Sequence, residues 1–161
     1  MDADRPARSE RSSGIPVWLD VGLELPWLRP RPYFVDRRRE AELTATVARM
    51  GFKVIEADVR ADPETVEEDL LVELTRLLEF NELGAGSWAA FEDRLWDLLC
   101  EHDKPGVAVI IRGLDGLVGV DLYRLVRCVH KLVSMTEGVG LADAAASRQV
   151  EYFFVGEWGA S

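Results

Sequence analysis

The chain has 161 residues, of which 48% are hydrophobic and 30% charged, a composition typical of one soluble globular domain. A formal net charge of −10 disfavours nucleic acid as a direct partner, because binding to phosphates requires Lys and Arg. No run approaches the roughly 20 apolar residues of a membrane span, and the first residues lack the apolar segment of a secretory signal. Two cysteines are too few for a disulfide framework. We therefore expect a cytoplasmic protein with no membrane contact.

The negative charge is concentrated in the middle of the chain. Residues 59–101 contain 3 Lys+Arg and 12 Asp+Glu, a net charge of −9, whereas residues 1–50 contain 9 and 8, a net charge of +1. A field of this kind suits a basic protein partner, but on charge alone solubility is the more common explanation.

The N-terminal part is predicted to be an appendage. Residues 1–14 mix charged and small polar residues and are expected to form a disordered tail. Residues 15–51 form an arm and an extra strand–helix unit. Four prolines within 15–32 exclude a continuous helix there, and Trp18 and Trp27 indicate that the arm docks on the body.

Three elements are predicted within this appendage. Val17 to Val21 is interpreted as a short edge strand, and Tyr33 to Asp36 as a second short strand. Leu43, Val47 and Met50 have helical spacing, and Gly51 is placed to end that helix.

The acidic region is predicted to contain one strand and two helices. Phe52 to Val59 is read as a buried strand. A helix follows, with Asp62 as its N-cap and Pro63 at its first position, and its apolar stripe continues to about Phe80. After a glycine-containing loop, Ser87 is expected to cap a second helix that continues to about Glu101.

The C-terminal third adds two strands and a helix. Val107 to Ile111 is entirely apolar, as expected for a strand buried on both faces of a parallel sheet. A helix should begin at Asp121 and end at Gly138 and Gly140, and Val150 to Val155 should form the last strand. The predicted core stripe of the helix that begins at Asp121 comprises Leu122, Leu125, Val126, Val129, Leu132 and Val133. Strands that alternate with helices predict an α/β fold with a small parallel sheet.

The segment Gly86-Ser87-Trp88-Ala89-Ala90-Phe91-Glu92-Asp93 resembles the start of the second helix in the barstar family of intracellular ribonuclease inhibitors. The order of elements from Phe52 to Gly156 is also similar to that family. The resemblance implies a barstar-like domain over 52–161, with three core strands and one or two added N-terminal strands. It also implies an acidic inhibitor or immunity protein that occludes the active site of a basic nuclease, with no catalysis and no cofactor.

The family's functional residues are only partly present. The family's Asn stands here as Ser87, its second helix Asp matches Asp93, and its first Asp after the Trp is replaced by Ala89. The aromatic residues usual in the preceding loop are absent. These departures favour an alternative, a structural or regulatory interaction module that keeps the fold without inhibition.

A helical wheel of residues 87–101 separates a core face from an acidic face at about 100° per residue. Trp88, Phe91, Leu95, Leu98 and Leu99 should face the core. The opposite side should present the candidate partner-binding residues Glu92, Asp93, Trp96 and Asp97, with Glu82 in the preceding loop.

Catalytic and metal sites find little support in the sequence. Cys100 and His102 are two residues apart, as are Cys128 and His130, and such pairs point about 200° apart on a helix. A zinc site is therefore not expected. A small enzyme remains a third hypothesis, which a cleft of carboxylates with opposed pKa values would support.

Overall fold

The structure is a computed structural model that describes residues 18–81, 85–101, 103–142 and 148–159. Four strands form one all-parallel sheet in the order β1-β4-β3-β2, so the predicted α/β class with a small parallel sheet is confirmed. The strands are β1 (Tyr33–Asp36), β2 (Lys53–Asp58), β3 (Val107–Arg112) and β4 (Val150–Gly156). One N-terminal strand, β1, therefore joins the three core strands within the described residues.

Five α-helices in the described part of the chain cover the two faces of the sheet. They are α1 (Val21–Glu24), α2 (Glu40–Arg49), α3 (Val66–Leu77), α4 (Trp88–Leu99) and α5 (Leu122–Ala142). The core on one face contains α3, α4 and α5, and the core on the other face contains α1 and α2. The chain advances from β2 to β3 to β4 in one direction but from β1 to β2 in the reverse direction. Because such crossover connections share one handedness, α2 lies on the face of the sheet opposite to α3, α4 and α5.

The two central strands are buried on both faces. Val109 and Ile111 of β3 pack under α3 to α5, whereas Ala108 and Ile110 pack towards α1 and α2. Phe153 and Phe154 of β4 divide in the same way, and both are fully buried. The prediction that these segments are core strands is confirmed.

Strand β2 is less buried than its sequence predicted. Ile55 and Ala57 face the core, but Lys53, Glu56 and Asp58 are exposed. The reason is its position, because β2 is an edge strand that pairs only with β3 among the described strands. Its charged residues alternate with the buried ones, as is usual at a sheet edge.

The arm docks as a helix rather than as the predicted edge strand. Asp20 accepts a hydrogen bond from the Gly22 amide at 2.9 Å and caps α1, so the strand expected over Val17 to Val21 is wrong for its described residues. The backbone of Leu19 pairs with the Gln149 side chain through two 2.9 Å hydrogen bonds. Arg31 forms an ion pair with buried Glu151 at the start of β4.

Two helix boundaries also differ from the predictions. The Asp62 side chain accepts from the Glu64 amide, but a turn occupies residues 63–65, and α3 begins only at Val66. The helix does not reach Phe80. Helix α5 continues past both expected stop glycines to Ala142, and Gly138 does not adopt the left-handed conformation of a C-terminal cap.

Gly113 is required where β3 leads into its next turn. Its φ is +104°, and an added Cβ would lie 1.9 Å from the Val59 carbonyl oxygen. Gly51 has a similar φ of +99°, as expected for the residue that ends α2, but a Cβ there would meet nothing within 4 Å.

We predict that Gly113→Ala lowers the free energy of unfolding by about 3 kcal/mol, because backbone strain and a steric clash add. Gly51→Ala, which carries the strain without the clash, should cost only about 1 kcal/mol. Urea unfolding followed by tryptophan fluorescence measures both. Equal losses in the two variants would show that the contact with Val59 is unimportant.

Candidate interaction site on helix α4

The start of α4 is fixed by the cap that the sequence predicted. The Ser87 side-chain oxygen accepts a hydrogen bond from the Ala90 amide at 3.1 Å, and the helix begins at Trp88. Phe91, Leu95 and Leu99 are buried on the inner side, and Trp88 and Leu98 are partly buried against the same core. This packing sets the rotation of α4 about its own axis.

The opposite side of α4 faces solvent. Glu92, Asp93, Trp96 and Asp97 are all exposed, and we call these four residues the α4 surface. The exposed fraction is 40% for Trp96 and 71% for the Asp97 side chain. The predicted division of α4 into an apolar and an acidic face is therefore confirmed, and the structure brings four of the five candidate residues together. Glu82 lies outside the described residues.

The carboxylates of the α4 surface are weakly paired. Asp97 lies 3.7 Å from the Arg94 guanidinium, at the limit of an ion pair. Within the described residues, the Asp93 carboxylate forms no hydrogen bond or ion pair. Asp93 and Asp97 are four residues apart on one helix, so their like charges repel each other at a cost of a few tenths of a kcal/mol. A cation placed between them would relieve this repulsion.

A cleft of about 310 Å³ borders the C-terminal end of the α4 surface. Lys53, Lys104 and Arg148 line it, together with Asp97 and Glu101. Glu101 accepts from Lys104 at 3.0 Å and from the mostly buried Arg148 at 3.2 Å. The negative potential of α4 therefore falls off beyond Asp97.

A mostly buried carboxylate holds α4 against its neighbours. Glu67 of α3 accepts a 2.9 Å hydrogen bond from the Trp88 indole nitrogen. It also accepts from Arg124 and, at 2.6 Å, from Arg127 of α5. One side chain thus connects α3, α4 and α5. Sequence reasoning missed it, although Arg124 and Arg127 recur at helical spacing beside the apolar stripe of α5.

Burial of Glu67 opposes its ionisation, but the hydrogen bonds from Trp88, Arg127 and Arg124 outweigh that effect and hold its pKa below the ordinary value of 4.5. The Glu67 carboxylate therefore binds a proton less readily in the folded state than in the unfolded state. The resulting stabilisation is present above the ordinary pKa and is lost as the pH falls through the lowered one.

The described residues offer no further chemistry at this site. None of them forms a group of three or more His, Cys, Asp or Glu side chains that could hold a metal ion. Cys100 and Cys128 do not form a disulfide, and burial raises the pKa of the Cys128 thiol to about 12, which keeps this thiol protonated at neutral pH. No described helix is long and apolar enough to cross a membrane.

Comparisons of the chain with family models, curated proteins and solved structures give no significant match.

We predict that Glu67→Gln lowers the free energy of unfolding by about 1–3 kcal/mol near neutral pH, because two arginines lose their shared counter-charge. The difference from the wild type should shrink as the pH is lowered below 4.5 and Glu67 becomes protonated. Chemical unfolding at a series of pH values measures it. Glu68→Gln, on the exposed side of the same helical turn, is the matched control and should have little effect at any pH.

Proposed function

We propose that the chain is a protein-binding module whose α4 surface receives a basic partner protein, and that this partner is a nuclease whose active-site cleft the module occludes. The observation that carries the proposal is the outward display of Asp93 and Asp97 around a partly exposed Trp96 on a helix whose rotation is fixed by its core. The partner, rather than the chain itself, would perform the chemistry.

The charges of the α4 surface suit a cationic cleft. Asp93 is unpaired within the described part of the chain, and Asp97 is held only weakly by Arg94, so few existing contacts must break on binding. A partner's Arg or Lys would offset the repulsion between the two carboxylates and would be attracted over a distance by the negative field. Association should therefore be fast at low salt and slower at high salt.

Trp96 supplies the apolar contact that such an interface needs. It lies one helical turn from both Glu92 and Cys100 and adjoins Asp97, so its partly exposed ring stands among the carboxylates. Interfaces draw much of their binding energy from a few anchors, among which Trp is enriched. The neighbouring acidic side chains would then form the polar rim.

The resemblance to the barstar family supports a nuclease as the partner. The strands and helices of residues 52–156 follow the order that the family has, and Asp93 matches the family's second helix aspartate in the sequence. Ser87 stands in place of the family's Asn and caps the helix. The mechanism would be steric occlusion of the cleft, with acidic side chains in the positions that RNA phosphates would otherwise take.

An interaction module without inhibitory activity is the second candidate, and Ala89 favours it. Ala89 is exposed at the position where the family has a carboxylate. Loss of that charge, together with the Arg94 contact to Asp97, would weaken binding to a nuclease while leaving the surface open to a different basic protein.

We predict that Asp93→Ala and Trp96→Ala each weaken binding to an inactivated basic ribonuclease such as barnase at least tenfold, because both remove groups that face the partner. Isothermal titration calorimetry measures the affinity, and stopped-flow fluorescence at several salt concentrations measures the association rate. The matched controls are Glu68→Ala and Val72→Ala, exposed acidic and apolar positions on α3, which should bind like the wild type.

Lysozyme, a basic protein that is not a nuclease, tests whether binding follows charge alone. Equal affinity for lysozyme and the ribonuclease would contradict the nuclease proposal and leave a general cation-binding surface. Absence of binding to any basic protein, or wild-type affinity in both α4 variants, would contradict the proposed site itself.

Restoring the missing carboxylate provides a gain-of-function test. Ala89→Asp places a fourth acidic side chain on the exposed side of α4, at a position where it displaces no core contact. We predict at least tenfold tighter binding to the same ribonuclease, since close charge pairs at such interfaces couple strongly. Ala41→Asp, an exposed alanine on α2, is the control that adds the same charge elsewhere. An equal gain in both variants would show that only net charge matters.

A further inference from the structure

A pocket lies between the N-terminal arm and α5, beside the start of β4. Strand β4 begins at Val150, but its pairing with β1 begins only at Phe153, so its first three residues extend past β1. Pro32, directly before β1, has no N–H group and cannot lengthen the ladder. The gap beside these residues is a pocket of about 440 Å³, which we call the inner chamber. Its apolar and aromatic lining consists of Trp18, Pro32, Tyr33, Val133, Val150 and Tyr152.

Helix α5 forms one wall of the inner chamber through Val133 and Thr136. The Thr136 hydroxyl donates to the Leu132 carbonyl oxygen at 2.9 Å and lies 2.9 Å from the Tyr152 hydroxyl. The hydroxyl groups of this wall therefore satisfy each other, and the wall offers mainly apolar contact to a ligand.

Val133 belongs to the stripe that the sequence predicted as the core face of α5. That prediction is wrong for two of the six members, because Leu122 is 59% exposed and Val126 is 57% exposed. Leu125 and Val129, on the adjacent side of the helix, are buried. The apolar face of α5 is thus wider than the core that it covers.

The inner chamber opens into an acidic mouth. A second and more open cavity of about 520 Å³ continues it, and both cavities are lined by Trp18 and Glu137. Taken together, the charged residues that line the chamber and the mouth are Asp20, Arg31, Glu137 and Glu151. Three carboxylates therefore surround one guanidinium.

The single guanidinium is already paired. Arg31 donates to both carboxylate oxygens of Glu151, whose side chain is 3% exposed. In the described part of the chain, the Asp20 side chain accepts a hydrogen bond only from the Gly22 amide, and Glu137 forms no hydrogen bond or ion pair. The two carboxylates of the mouth therefore have no cationic partner among the described residues.

The pocket already holds one cation between an aromatic ring and a carboxylate. The Arg31 guanidinium lies 5.6 Å from the centroid of the Tyr33 ring. Burial, followed by the negative charge of Glu151, raises the pKa of the Tyr33 hydroxyl in spite of Arg31, and Asp20 contributes in the same direction. Trp18, which is 47% exposed, is the type of ring that attracts cations most strongly. At the mouth, Trp18 and two carboxylates offer the same combination of groups.

We propose that this pocket binds a small amphiphilic organic cation. The apolar body of the ligand would lie in the inner chamber, and its ammonium group would lie in the mouth beside Trp18, Asp20 and Glu137. The chamber volume is near the lower end of the range for small-molecule sites, which suits an amine with a single ring. The net charge of −10 also attracts a cation. The site does not depend on the function of the α4 surface.

Three ligands of nearly equal size and different charge test the proposal. At neutral pH, phenethylamine is a cation, 2-phenylethanol is neutral and 3-phenylpropionate is an anion. Isothermal titration calorimetry of the full chain should give saturable binding of one phenethylamine, with a dissociation constant below about 1 mM. The alcohol and the anion should bind about tenfold more weakly or not at all. Equal affinity for the alcohol, or no saturable binding of phenethylamine, would overturn the proposal.

Neutral variants of the mouth locate the ammonium group. Glu137→Gln and Asp20→Asn should each weaken phenethylamine binding about fivefold and leave the affinity for 2-phenylethanol unchanged. Asn also caps helices well, so α1 should be retained in the second variant. Glu68→Gln, an exposed position on α3, is the matched control and should bind like the wild type. Wild-type affinity in both mouth variants would contradict the assignment.

The two exposed tryptophans separate this pocket from the α4 surface. Trp18→Ala should weaken binding of both phenethylamine and 2-phenylethanol, because its ring lines the chamber as well as the mouth. Trp96→Ala, which removes an exposed ring on α4, should bind phenethylamine like the wild type. Circular dichroism would check that each variant is folded. Loss of phenethylamine binding in Trp96→Ala, or its retention in Trp18→Ala, would place the amine elsewhere and overturn the proposal.

Discussion

The hydrogen-bonded cluster around Glu67 is the interaction on which the geometry of α4 depends. Helix α4 is held to the body by its side chains and by one backbone hydrogen bond, in which the Leu99 carbonyl accepts from the Arg148 amide at 2.9 Å. Its inner residues fill the core and set the rotation of α4 about its axis. The hydrogen bonds from Trp88, Arg124 and Arg127 to one carboxylate have preferred directions, which limit that rotation further. A rotation of α4 that moved Asp93 towards the body would have to break the Trp88 bond.

This arrangement joins a stabilising contact to a binding surface. Glu67 is mostly buried, and its charge is compensated by two arginines on α5. The aspartates on α4 are exposed and poorly compensated. The protein thus neutralises the partly buried negative charge of Glu67 and leaves exposed negative charge uncompensated where a partner can approach. A preorganised helix loses little conformational entropy on binding, which favours affinity.

Much of the fold could be predicted from sequence because hydrophobic periodicity reports local burial. The run Val107 to Ile111 and the cap at Ser87 are examples, since each depends on a few neighbouring residues. The errors arose where tertiary position overrides local pattern. Val126 has the same apolar character as Val129, yet Val129 is buried in the core and Val126 is exposed to solvent. Gly138 resembles a helix stop, but a glycine within a helix incurs only a modest cost that packing can offset. The exposure of Asp93 followed from a helical wheel, whereas the Glu67 cluster required three helices to be placed in space.

Strand β1 has a consequence for how the molecule can be divided. It pairs with β4, and its Tyr33 ring stacks on Phe153 with 5.2 Å between centroids. Val35 lies in the same apolar cluster as Phe153 and Val155, which α1 and α2 cover. A fragment that starts at Phe52 would keep three parallel strands but would lose the whole layer on that side. It would expose a broad apolar face and an unpaired edge of β4 to solvent, which favours aggregation, so the described residues 18–51 belong to the same folding unit as the rest of the sheet.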